Sequence, residues 1–86
     1  MSEMVSNGGS TVLTELAEGE RARVEQRRVG PLEAELLAAL GLREGSELRV
    51  CRAGDPCIVE VRSARIGMTR RIAEQLAVCR VGIDRQ

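Results

Sequence analysis

Apolar and polar positions change rhythm several times along the chain, and each rhythm predicts an element. Over Glu20–Val29, Ala22 and Val24 alternate with Arg21, Arg23 and Glu25, the period of two that marks a strand with one wet face. After Gly30 the period becomes helical. Pro31 suits a first helical position because its missing N–H would be unpaired there anyway. Leu32, Leu36 and Leu40 follow at i, i+4 spacing with Leu37 beside them. Gly41 then provides a left-handed stop, with Leu42 placed to fold back onto Leu37 in a Schellman-type ending. The spacing predicts a helix over about 31–40.

Alternation returns at Leu48 and Val50 and again at Cys57, Val59 and Val61, on either side of Ala53-Gly54-Asp55-Pro56. Turn chemistry between two alternating runs predicts a hairpin. A short strand over Arg65–Met68 follows, then a brief helix through Glu74 or Gln75 capped by Thr69, and a last strand over Leu76–Cys79. Before all of these, Leu13 and Leu16 would share one side of a single helical turn that Thr14 caps and Gly19 ends. The polar stretch 1–10 (MSEMVSNGGS) predicts a disordered lead-in and 82–86 a frayed tail. The folded unit is 11–81, without internal repeats. About five short antiparallel strands, an inserted helix and a helical turn over about 69–75 make a mainly β fold. A small, partly open SH3-like barrel fits best, with an OB-fold as the nearest competitor.

Composition narrows the function classes. The chain has 86 residues, 43% of them hydrophobic, yet no Phe, Tyr or Trp. Its core must be aliphatic, and it lacks the aromatic platforms on which single-stranded nucleic acids stack. Thirteen basic and thirteen acidic residues cancel, which leaves no global attraction to nucleic acid or anionic membranes. No apolar run approaches the roughly 20 residues needed to span a bilayer, and the N-terminus lacks the basic start and apolar core of a signal peptide. The expectation is a cytoplasmic protein with no membrane insertion and no nucleic-acid partner.

Catalytic equipment is missing from the pattern. There is no His, the commonest general base near neutral pH. No Ser or Cys sits in a nucleophile setting, and no phosphate-cradling motif occurs. Glu33 and Glu35 lie two apart on a helix and so face different ways. Cys51, Cys57 and Cys79 could supply three thiolates to zinc. However, they lack Cys-x-x-Cys spacing, and alternation puts Cys57 inside while Cys51 and Cys79 lie outside. They read as free thiols of a reducing compartment. No catalytic residue, metal site or cofactor is assigned.

The order of these motifs resembles the FeoA family over nearly the whole folded region. The opening L-x-x-L-x-x-G is Leu13, Leu16 and Gly19. The helix end L-x-x-L-G-[FL]-x-x-G is Leu37, Leu40, Gly41, Leu42 and Gly45. The hairpin turn is Gly54-Asp55-Pro56, and the closing pattern is Ile66, Met68, Arg70, Ala73, Leu76 and Val78. The hairpin before Gly54 is shorter than is usual in the family. Ser63, followed by Ala64, stands where many members carry a Gly, so that turn is expected to differ, since Ser tolerates positive φ less readily. The resemblance implies a stand-alone accessory of bacterial ferrous-iron uptake that binds the cytosolic, GTPase-containing part of the FeoB transporter. The alternative it implies is a metal-responsive sensor or regulator domain like the C-terminal domain of metal-dependent repressors.

Two surfaces are candidates for binding a partner. Arg62, Arg65, Arg70 and Arg71 fall in a ten-residue stretch without an acid; it reads either as a solvated basic face or as a docking patch for an acidic surface. Leu32 and Leu36 read first as core, and otherwise as the wall of a groove that receives a partner peptide. Unpaired barrel edges leave room for a homodimer.

Overall fold

The computed structural model describes residues 10–81; the expected lead-in over 1–9 and the tail over 82–86 lie outside the described residues. Six strands are present: β1 (Ser10–Val12), β2 (Arg21–Arg27), β3 (Glu47–Arg52), β4 (Cys57–Val61), β5 (Ala64–Met68) and β6 (Leu76–Arg80). Two helices, α1 (Pro31–Ala39) and α2 (Arg70–Ala73), and a 3-10 turn at Leu13–Glu15 complete the elements of the described residues. The strand beyond the expected five is β1. Ser10 therefore belongs to the sheet and not to a lead-in, because the far edge of β6 offers it partners, with Ser10 opposite Cys79 and Val12 opposite Ala77. The 3-10 turn then leaves directly from β1. Its N-cap is Val12, with no side-chain cap, so Thr14 does not perform the capping expected of it.

All pairings are antiparallel, in the order β1-β6-β2-β3-β4-β5. The described sheet is not closed: β1 and β5 are its edges. Alternation decides what each strand buries. Ala22, Val24, Leu48, Val50, Cys57, Val59, Val61, Ile66, Met68, Leu76 and Val78 turn inward and meet Leu13, Leu16, Leu37, Leu42 and Ala73 in one cluster. No polar or charged residue is buried among the described residues. This is the aliphatic core that the composition required.

Helix α1 ends as its sequence dictates. Gly41 takes φ +102°, its N–H donates to the Ala38 carbonyl at 3.0 Å, and the Leu42 N–H donates to the Leu37 carbonyl at 2.8 Å. That pair of bonds is the Schellman motif, and it carries Leu42 to complete burial. The helix start is closed by Glu33, whose carboxylate accepts from the Gly30 N–H at 3.0 Å. At α2, Thr69 Oγ1 accepts from the Ile72 N–H at 3.3 Å, as expected of that cap.

The face that α1 turns inward is not the leucine series. Leu37 is buried at 6% exposure, with Ala34 and Ala38 half-buried around it. Leu32, Leu36 and Leu40 are 72%, 60% and 51% exposed. The reading of Leu32 and Leu36 as core is overturned. The reason lies in Arg27, whose Nη1 donates to the Ala34 carbonyl at 2.9 Å and the Leu42 carbonyl at 3.2 Å. This guanidinium lies between β2 and the helix and ties down the small-residue side, so the wide leucine side faces out.

Candidate functional site

Three leucines at i, i+4, i+8 on a helix of 1.5 Å rise per residue make a line of apolar surface about 12 Å long. Leu32, Leu36 and Leu40 form such a line on α1, open to solvent. Neither the cleft lined by Arg21, Leu48 and Arg62 nor the smaller one lined by Leu13, Cys57 and Arg70 includes them, and the stripe stands as an exposed ridge on the helix. Glu33 and Glu35 are exposed beside it. A small domain gains nothing in stability by exposing three large aliphatic side chains in a row, which makes the ridge a candidate contact surface.

The C-terminal end of this ridge approaches the β4–β5 hairpin. A Cβ placed on Gly41 would lie 3.6 Å from Val61 Cγ1, and Val61 leads directly into the two-residue turn Arg62-Ser63. Both turn residues have positive φ, 52° and 72°. Ser63 thus adopts the backbone for which a Gly was missing, and the turn keeps the paired left-handed form that suits a two-residue hairpin. Beyond it, a row of side chains crosses the outer face of the sheet: Arg21 opposite Arg49, Arg49 opposite Glu60, Glu60 opposite Arg65.

A shallow cleft of about 640 Å³ lies across this region, with Arg21, Glu47, Arg49, Glu60 and Arg62 on its walls. Its acids are committed. Glu60 holds Arg49 at 2.7 Å and Glu47 lies 3.7 Å from Arg21. Arg62 and Arg65, both exposed, have no acidic partner among the described residues.

The basic stretch seen in the sequence is therefore split. Arg62 and Arg65 stand at the turn end of β5. Arg70 and Arg71 stand past its other end, roughly 15 Å away for a strand that rises about 3.3 Å per residue. Arg70 is also engaged: its Nε lies 3.3 Å from Glu74 and its N–H donates to Asp55 at 3.2 Å. The helix end at Gly41 is the point at which the ridge and the turn bearing Arg62 approach; Arg70 and Arg71 lie beyond the other end of β5. Leu40 belongs to the ridge and was legible in the i, i+4 series. Gly67 and the free edge of β5 had no sequence signal, because strand order decides which strand ends a sheet.

The cysteines separate as their alternation requires. Cys57 is buried, and burial pushes its thiol up from the ordinary range. Cys51 and Cys79 are half-buried. No group of three or more His, Cys, Asp or Glu side chains that could hold a metal ion occurs among the described residues. No helix of the described chain is long and apolar enough to cross a membrane.

Comparisons with known proteins place this architecture. The family model described as FeoA domain matches residues 11–80. The solution structure of the FeoA protein from Chlorobium tepidum is 33% identical and superposes with a TM-score of 0.81 over 87% of this chain and 74% of that one. Stenotrophomonas maltophilia FeoA, crystallised with zinc and described as an SH3 domain protein, is 27% identical with a TM-score of 0.67, over 79% of this chain and 88% of that one. The fold also recurs in T. acidophilum IdeR, 22% identical with a TM-score of 0.78, where 91% of this chain matches 37% of that longer one. A comparison with curated proteins returns no match. With six antiparallel strands in an open SH3-like sheet and a family match over nearly all of the described residues, this chain belongs to the FeoA family.

Proposed function

We propose that the chain is a non-enzymatic accessory of ferrous-iron uptake that docks on the cytosolic, GTPase-containing part of a FeoB-type transporter. The observation that supports this most is the ridge of Leu32, Leu36 and Leu40, held outward by the Arg27 tether on a domain whose family is associated with iron transport. Desolvating such a ridge at the centre of an interface supplies affinity, and the exposed Arg62 and Arg65 supply orientation and on-rate towards an acidic rim. The cytosol is the compartment this role requires.

The test is calorimetric titration of the chain into the cytosolic part of the transporter, with GDP and with a non-hydrolysable GTP analogue. Saturable binding that Leu36→Glu weakens at least about tenfold, an amount typical of losing one interface anchor, is the expected result. Absence of binding with either nucleotide overturns the proposal.

A second reading, a metal-responsive regulator domain, is favoured by the fold shared with T. acidophilum IdeR and with a manganese-dependent transcriptional repressor. Titration with ferrous or zinc ions separates the two. Tight saturable binding that is lost in a Cys51/Cys57/Cys79 triple Ser variant would support the regulator.

A further inference from the structure

The hairpin register shows which backbone groups of β5 are used. A two-residue turn makes its flanking residues, Val61 and Ala64, a hydrogen-bonded pair. Hydrogen-bonded and non-hydrogen-bonded pairs then alternate along an antiparallel ladder. Val59 with Ile66 and Cys57 with Met68 are bonded pairs, whereas Glu60 with Arg65 and Ile58 with Gly67 are not. The N–H and C=O of Arg65 and of Gly67 therefore point away from β4, to the side where the described sheet has no further strand. None of these four groups has a backbone partner among the described residues.

The side chains around this edge are equally specific. Arg65 stands on the outer face with no acidic partner, since Glu60 opposite it holds Arg49 at 2.7 Å. Two residues on, a Cβ built on Gly67 would meet nothing within 4 Å. Half-buried Ile58 lies across from Gly67 on β4, so the floor of that open space is apolar. Arg62 adds a second unpaired cation at the turn.

We propose that β5 receives an extended segment of the partner protein as an added antiparallel strand, with a large apolar residue followed two positions later by an acidic one. In antiparallel addition the residue opposite Gly67 precedes the residue opposite Arg65 by two. Both exchange N–H···O=C bonds with β5, and both side chains fall on its outer face. The apolar residue fills the space above Gly67 against Ile58, and the carboxylate pairs with Arg65 within reach of Arg62. Main-chain bonds supply affinity and the alternate side chains supply selection, as in other strand additions. A second copy is a poorer occupant, because β5 against β5 brings two sets of unpaired arginines together with no acid to offset them.

This inference rests on the reading of the chain as a docking module and adds where and how it grips. Gly67→Pro is the informative variant. It deletes an outward N–H and leaves the β4–β5 bonds intact, a position where edge strands tolerate proline. Its melting curve verifies the fold. Against the cytosolic part of the transporter, Gly67→Pro is expected to lose about tenfold or more in affinity, as for loss of an interface hydrogen bond with added steric conflict. In the wild-type complex, hydrogen exchange at the Arg65 and Gly67 amides is expected to slow at least about tenfold.

Unchanged binding by folded Gly67→Pro, together with loss in Leu36→Glu, overturns strand addition while the docking reading stands. If the transporter fragment does not bind at all, the docking reading fails by itself, and a capped peptide of sequence TVIVEVT tests the edge alone. Shifts centred on Arg65 and Gly67 that weaken severalfold when the peptide Glu is replaced by Lys support the proposal. Absence of saturable shifts there, or concentration-dependent self-association through β5, overturns it.

Discussion

Arg62 and Ser63 show how much a single backbone position can hold. Two consecutive L-residues with side chains at positive φ each cost of order 1 kcal/mol, and the hairpin register pays for both. Replacing the pair by Asn-Gly, the preferred residues for such a turn, is expected to stabilise the domain by about 1–2 kcal/mol, read as a higher urea midpoint with an unchanged slope. Leu42 illustrates the opposite case. It is fully buried on the strength of one left-handed glycine, and Leu42→Ala is expected to cost about 2–5 kcal/mol. Leu36→Ala, on the exposed ridge, is expected to stay within about 0.5 kcal/mol of wild type.

At the scale of elements, α1 explains both what the sequence revealed and what it hid. Its limits were legible because Pro31 and Gly41 act through local backbone geometry. Its orientation was not. The helix is apolar on two faces, Ala34-Leu37-Ala38 and Leu32-Leu36-Leu40, so periodicity alone cannot say which one meets the sheet. The choice depends on Arg27, seven residues from Ala34 and fifteen from Leu42, a polar contact that no apolar pattern encodes. Removing it should release the helix without unfolding the barrel. In Arg27→Met, the α1 amides are expected to exchange faster than those of β2 and β6, measured by native-state hydrogen exchange.

The strands were legible for a complementary reason. Each buries one face, so alternation had to show through in Ala22/Val24 and in Cys57/Val59/Val61. The three residues of β1 are too few to alternate visibly. The arginine stretch misled for a related reason: closeness in sequence put Arg70 and Arg71 with Arg62 and Arg65, whereas an extended strand carries them to opposite ends.

For the whole molecule, the few ionisable types give a simple dependence on pH. With no His, Tyr or Lys in the chain, thiols dominate the side-chain titration on the alkaline side of neutrality. Burial raises the Cys57 thiol, so the unfolded chain loses that proton first. The stability this group contributes is complete below the ordinary thiol range, near pH 8.5, and is lost as pH rises towards the folded value. The urea midpoint is expected to fall between about pH 8 and pH 10, and Cys57→Val is expected to flatten that decline. On the acid side, the Ala17 N–H and the Arg80 guanidinium hold the Glu20 carboxylate below its usual range. That contribution is present above the usual range of a Glu carboxyl and disappears as pH falls through the lowered one.

The pairing of Ser10 with Cys79 has a consequence for how this domain travels between proteins. Entry and exit of the polypeptide sit on neighbouring strands, so the unit can be spliced into a longer chain, or hung from its end, like a bead that needs one point of attachment. The recurrence of the fold within 37% of the longer T. acidophilum IdeR chain is what such portability would produce. The same adjacency allows β1 and β6 to be linked directly and the chain opened in the Gly54-Asp55 loop without disturbing the order of strands.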